Sequence, residues 1–138
     1  MPTEWKRGEY AISSDPKRLD LGVVHGFLTT SYWAQNISEE LVRRSVEHSL
    51  CFGVYHGETQ VGFARVITDC ATFAYLADVF IIEQHRGRGL GKWLIETIVT
   101  HPELSGLRRW ILVTRDAHDL YRQCGFKELR NPERFMER

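Results

Sequence analysis

The run Arg86-Gly87-Arg88-Gly89-Leu90-Gly91-Lys92 combines glycines with fixed cations at one point of the chain. Before it lies the apolar stretch Val79 to Ile82, read as the end of a strand. After it, Leu90, Leu94, Ile95, Ile98 and Val99 recur at helical spacing. A strand feeding a glycine-rich turn that opens a helix aims several unpaired amide N–H groups at one spot, with the positive end of the helix dipole behind them. Such a spot suits a phosphate. A Walker A loop places four residues between its first glycine and Gly-Lys, then a Ser or Thr for magnesium. Here three residues separate Gly87 from Gly91-Lys92, and Trp93 follows. A Rossmann fingerprint, Gly-x-Gly-x-x-Gly, does not match the alternating Gly87, Gly89 and Gly91, which also lie too deep in the chain for the first strand of that fold.

What fits is Arg86-x-x-Gly89-x-Gly91, which resembles the Arg/Gln-x-x-Gly-x-Gly/Ala motif of the GNAT N-acetyltransferase superfamily. Further on, Ala117-His118-Asp119-Leu120-Tyr121-Arg122-Gln123-Cys124-Gly125-Phe126 resembles the Ala-x-x-Leu-Tyr-x-x-x-Gly-Phe helix and turn that follow the fifth strand in the same superfamily. The two patterns are independent and stand in the expected order. The resemblance implies an acetyl-CoA-dependent N-acetyltransferase. The pyrophosphate of acetyl-CoA is then expected on the amides of Arg86, Gly87, Arg88, Gly89, Leu90 and Gly91, with Arg88 and Lys92 adding charge-assisted contacts. Backbone groups of Val79, Phe80 and Ile81 are expected to hold the pantetheine arm as a further strand would. Thr114 stands where asparagine is common in the family, with one hydroxyl donor instead of two.

Acetyl transfer from a thioester to an amine releases a thiolate, whose thiol has a pKa near 8.5 against about 10 for a phenol. By family position Tyr121 is the expected proton donor. The group that accepts the amine's proton stays open. Asp78 and Glu83 are the carboxylates nearest in sequence, but strict alternation puts Asp78 on the sheet face opposite Tyr75 and Val79, and Glu83 on the outgoing loop. Tyr75 occupies a place where some relatives carry a glutamate. The acceptor is expected where the loop between the first two helices meets the central strands, with Trp33 and Tyr75, joined by Tyr32, as an aromatic wall for a small-molecule amine. Two alternatives remain: a protein lysine or N-terminal acetyltransferase, and a catalytically silent acyl-CoA-binding module. The absence of an acidic excess weighs against a polybasic acceptor, and retention of Tyr121 weighs against a silent module.

The elements needed to position these groups can be read along the chain. Tyr10 to Ser13 reads as a first strand and Leu19 to Thr29 as a short or bent helix. Ser38 caps a clearer helix that opens with Glu39 and Glu40. Cys51 to Tyr55, Val61 to Thr68 and Phe73 to Ile82 read as an antiparallel meander. Then follow the Leu90 to Val99 helix, a strand at Trp110 to Thr114, a short helix at Ala117 to Cys124, and a closing strand or hairpin over Phe126 to Phe135. The expected fold is one α/β domain over residues 1–138: a mixed, mostly antiparallel central sheet with helices on both faces, matching the GNAT fold.

Composition sets the outer bounds. At 138 residues and 43% hydrophobic, the chain can bury one core without staples. Eighteen basic side chains balance eighteen acidic ones, so no overall field steers it to nucleic acid or an anionic membrane. Cys51, Cys70 and Cys124 are scattered and odd in number, and the six histidines show no ligand spacing, so neither a disulfide framework nor a metal site is expected. No signal-peptide pattern opens the sequence and no stretch reaches membrane-span length, so a soluble cytoplasmic protein is expected. Family analogy adds a homodimer, paired through an exposed carboxy-terminal strand.

Overall fold

The most apolar β-prone runs lie mid-chain and form the middle of the sheet. In the computed structural model, which describes residues 2–138, β3 (Leu50–His56), β4 (Thr59–Thr68) and β5 (Phe73–Ile81) make the antiparallel meander. On one side the sheet continues through β2 (Tyr10–Ser13) to β1 (Glu4–Arg7), both antiparallel. On the other, β6 (Arg109–Leu112) lies parallel to β5, giving a six-stranded sheet in sequential order β1-β2-β3-β4-β5-β6. A parallel neighbour requires a crossover, which α3 (Leu90–Val99) supplies.

Each face of the sheet has its own core. On one face, Leu90, Leu94, Ile95 and Ile98 of α3 pack on Ile12, Phe52, Val54, Val66, Ala74 and Leu76, with Leu120 and Tyr121 of α4 (His118–Gln123) at the margin. On the other face, Val24 and Leu28 of α1 (Leu21–Leu28) and Val42 of α2 (Glu39–Glu47) pack on Cys51, Phe63 and Phe80. Burial of each such side chain contributes about 1.5–3 kcal/mol. Ser38 caps α2 as expected, accepting from the Leu41 amide at 3.2 Å, and Asp20 caps α1 through the Val23 amide.

Two segments differ from the sequence expectation, and each has a reason. β1 carries a single apolar residue among charges, too little for a period-2 signal. It forms because Trp5 docks inward, with its ring centroid 6.2 Å from Phe52 and 5.6 Å from His101. The closing strand expected over Phe126 to Phe135 does not form. That segment carries no ladder and ends in a 3₁₀ turn at Pro132–Arg134, where Pro132 has no N–H to donate. β6 is therefore the sheet edge, and the strand expected to pair two copies is absent there.

Two irregularities of β5 shape everything that follows. Its ladder with β6 runs only from Phe73↔Arg109 to Leu76↔Leu112, so the segment from Ala77 to Ile81 has no partner on that side. Against β4 the register passes from Phe63↔Phe80 to Arg65↔Ala77, which leaves one extra residue on β5. This bulge centres on Asp78, at φ 56°. Before it, the even residues Ala74 and Leu76 face α3; after it, Ile81 faces α3 and Phe80 faces α1. One inserted residue exchanges the two faces.

Among the described residues no helix is long and apolar enough to cross a membrane, and no cluster of three or more His, Cys, Asp or Glu has metal-holding geometry.

Candidate active site

Where β5 and β6 part, a cleft of about 600 Å³ opens. Val79, Phe80 and Ile81 form one wall, and Ala117, Leu120 and Tyr121 the other. The end of α1 closes a third side, where the Phe27 ring stacks on Phe80 at 4.0 Å between centroids and 6° between planes. β5 thus presents unpaired main chain to the cleft beside the residues named for the pantetheine arm.

At the cleft's end lies the glycine-rich turn. Gly87 and Gly89 sit at φ 78° and 77°, a region that costs a residue with a Cβ about 1–2 kcal/mol. Gly89 is the N-cap of α3 and supplies no side-chain acceptor, unlike Asp20 on α1 and Ser38 on α2. The first amides of α3 therefore keep their hydrogens for a ligand, and the helix dipole adds to their pull on an anion. Leu90, Gly91 and Lys92 line the cleft there. Arg86 also lines it, but its Nε donates to the Ile81 carbonyl at 2.8 Å and so ties the turn to the end of β5. Arg88 is exposed and does not line the cleft.

A second cavity, of about 660 Å³, lies on the α1–α2 side of β5. Tyr32, Trp33 and Tyr75 line it, as the sequence suggested. Asp78 and Arg65 line it too. The bulge overturns the alternation argument: Asp78 shares the cavity with Tyr75 instead of facing away from it. Its Oδ2 accepts from Arg65 Nε at 2.8 Å and its Oδ1 from Trp33 Nε1 at 2.8 Å, while Arg65 Nη1 donates to Ser49 Oγ at 3.2 Å. The pair is largely enclosed, with side-chain exposures of 17% for Arg65 and 11% for Asp78. Trp33 is 42% exposed, so it is wall and not core. Glu83 is exposed and lines neither cavity.

Tyr121 belongs to both spaces. Burial first, then the neighbouring Tyr32 and Cys124, push its phenol up to about 12. It is therefore a neutral hydrogen-bond donor at physiological pH. Tyr32 is itself fixed: its hydroxyl accepts from the Arg115 amide at 3.0 Å, and the Arg115 guanidinium lies 3.8 Å from its ring centre. Thr114 Oγ1 accepts from the Ala117 amide at 3.1 Å, which orients the start of α4 and leaves the hydroxyl hydrogen free.

Comparison with known proteins bears on the family and the fold. The family described as Acetyltransferase (GNAT) domain matches residues 47–128, from the end of α2 through α4. The chain belongs to the GNAT acetyltransferase family. A curated Gibberella zeae protein named for acetyltransferase activity is 33% identical over 153 aligned positions, spanning 94% of this chain and 85% of that one. A crystal structure of a GNAT-family protein from Xanthomonas campestris pv. campestris is 48% identical, covers 94% of this chain and 92% of its own, and superposes with a TM-score of 0.91. A Clostridium acetobutylicum protein crystallised with acetyl-CoA shares the fold at 13% identity and a TM-score of 0.67, over 99% and 95% of the two chains.

Within this GNAT protein, Arg65 and Asp78 are the site residues that sequence reasoning missed or misplaced. Arg65 carried a usable signal: a lone charge inside the buried run Val61 to Val66 demands a partner. Asp78 carried none, because a bulge is set by the pairing of two strands and not by either one.

Proposed function

We propose that this GNAT protein transfers the acetyl group of acetyl-CoA to the primary amine of a small molecule by direct attack, with both substrates bound. The observation that carries the reading is the meeting of the two cavities at Tyr121. A donor in the cleft and an acceptor in the second cavity are then neighbours across one phenol, with no covalent relay needed between them.

The residues present suit acetyl-CoA. The uncapped amides of α3 and the turn at Gly87 and Gly89 would take the diphosphate, with Lys92 adding charge, and the open edge of β5 from Val79 to Ile81 would pair with the amide-rich pantetheine arm. The thioester would then lie beside Tyr121. As the amine nitrogen bonds to the carbonyl carbon, the C–S bond breaks with its electron pair moving to sulfur, and the Tyr121 hydroxyl gives that sulfur its proton. A phenol near 12 protonates a thiolate readily only if the thiolate is also desolvated, a condition that the shared enclosure favours. Because an ammonium has no lone pair, the bound acceptor first releases one proton to solvent through the open acceptor cavity; the second proton, shed by the nitrogen once it is acylated, leaves the same way and restores the phenol by way of solvent.

On the acceptor side, about 660 Å³ falls within the range of small-molecule sites. Aromatic rings on Tyr32, Trp33 and Tyr75 suit the body of an amine and favour a cationic head. Asp78, held by Arg65 and Trp33, retains lone pairs with which to attract and orient an ammonium as it arrives. The deciding test is an assay of thiol release from acetyl-CoA with a panel of primary amines, run on wild type and Tyr121→Phe. Turnover with at least one small amine, much reduced in the variant, is expected. Tight coenzyme binding without turnover on any amine would reduce the protein to a binding module.

A further inference from the structure

The edge strand β1 brings a cation to the glycine-rich turn from outside the turn itself. Arg7 is the last residue of β1, and its guanidinium carbon lies 4.9 Å from the centre of the Trp93 ring on the first turn of α3. A Cβ placed on Gly89 would meet Arg7 Nη1 at 4.0 Å, so the guanidinium flanks the residue that opens the helix. Among the described residues no carboxylate pairs with it. Glu4, on the same strand, is engaged by Lys6 and Arg18, and Glu9, in the turn that follows, lies 3.8 Å from His56. Stacking on an indole orients a guanidinium without using its donors, and all five N–H groups stay available to a planar or tetrahedral oxyanion.

We infer that Arg7 is a phosphate ligand of the acetyl carrier. The inference rests on the coenzyme reading above and adds to it a residue that no part of the glycine motif contains. Acetyl-CoA offers two phosphate sources, the diphosphate and the monoester on its ribose. The amides of the turn already suit the diphosphate, and Arg86 is tied by its Nε to Ile81. Arg7 is exposed and lies outside the cleft lining, on the other side of Gly89, so it would meet phosphate charge that extends past the amides, and its fork matches two oxygens of one phosphate. The same contact gives β1 a role in function: Trp5 anchors the strand on the core, and Arg7 carries its far end to the ligand.

The experiment is calorimetric titration of wild type, Arg7→Gln and Arg7→Lys with acetyl-CoA and with 3′-dephospho-CoA, together with the melting temperature of each ligand-free protein. Arg7→Gln should weaken acetyl-CoA binding about tenfold, the worth of one charge-assisted contact. Its affinity should also fall less steeply with salt than that of wild type. Loss confined to acetyl-CoA assigns the contact to the monoester; loss with both ligands assigns it to the diphosphate. Arg7→Lys, which keeps a cation over Trp93, should recover part of the affinity, and no recovery in a protein of unchanged melting temperature would make stacking, not charge, the cause and overturn the assignment. Equal affinity in wild type and Arg7→Gln would overturn it while leaving the coenzyme reading intact. No heat from wild type with acetyl-CoA would remove that reading and this inference together.

Discussion

The polar groups that would hold the donor are mostly main chain, and those of the cavity beside it are mostly side chains. The cleft offers the open edge of β5, the amides that begin α3 and the backbone of the glycine turn. The cavity offers Arg65, Asp78, Tyr75, Trp33 and Tyr32, drawn from β4, β5 and the loop between α1 and α2. Main-chain recognition constrains few residue identities, chiefly the glycines, so one short motif can encode it. Side-chain recognition needs groups from distant parts of the sequence to converge, so it can change its ligand without disturbing the fold. Tyr121 stands on the border and serves both halves.

That contrast can be broken at several points. The largest effect belongs to the border residue: Tyr121→Phe should lower kcat by about 100-fold or more while the dissociation constant for acetyl-CoA stays within experimental error of wild type. Steady-state kinetics paired with calorimetry checks both halves at once, and an unchanged kcat would remove the phenol from the chemistry. Next comes the acceptor side alone. Asp78→Asn, which keeps the shape of the side chain and discards its charge, should raise KM for the amine by about 10- to 100-fold, as expected for a lost charge-assisted contact, with acetyl-CoA affinity untouched. If the coenzyme affinity falls in step with the amine's, the two halves are not separable.

Gly89→Ala probes the donor side from its backbone. Forcing a Cβ to φ 77° should weaken acetyl-CoA binding by about 5- to 30-fold, corresponding to about 1–2 kcal/mol, and leave the acceptor KM at saturating coenzyme unaltered. Calorimetry reads this directly; retention of full affinity would show that the turn does not hold the anion. The smallest effect is in pH. Burial raises the Tyr121 phenol from its ordinary value near 10 to about 12, so kcat should hold level through pH 10 and decline only as pH approaches 12. The unfolded chain releases that proton near 10 and the folded one near 12. The group's contribution to stability is therefore complete below pH 10 and is lost as pH rises toward 12. A basic limb in kcat near 10 that vanishes in Tyr121→Phe would mean that the phenol is not shielded.

Much of the cleft's glycine-rich end is legible in the sequence. The strand, turn and helix around Gly87, Gly89 and Gly91 are contiguous, and their meaning depends on spacing along the chain. The same holds for the Ser38 cap and the β3–β4–β5 meander, which rest on local chemistry and period. Strand β1 escaped because one tryptophan gives no periodicity, and its docking on Phe52 and His101 is a long-range event. The expected closing strand failed because its apolar residues gave a β-like pattern without a partner ladder to satisfy it. Arg7 was invisible for the same reason as β1: its significance arises only when the edge strand reaches Gly89.

By itself the sequence determined the family, the order of most elements and the place of the glycine-rich turn, because those depend on residues that are neighbours in the chain. Only the tertiary structure decided that Asp78 shares a cavity with Tyr75, that Arg65 and Trp33 hold it there, and that Arg7 flanks the turn. The bulge at Asp78 comes from how β5 pairs with β4, and a one-residue change in register reverses which face a side chain takes. No pattern within β5 alone contains that information.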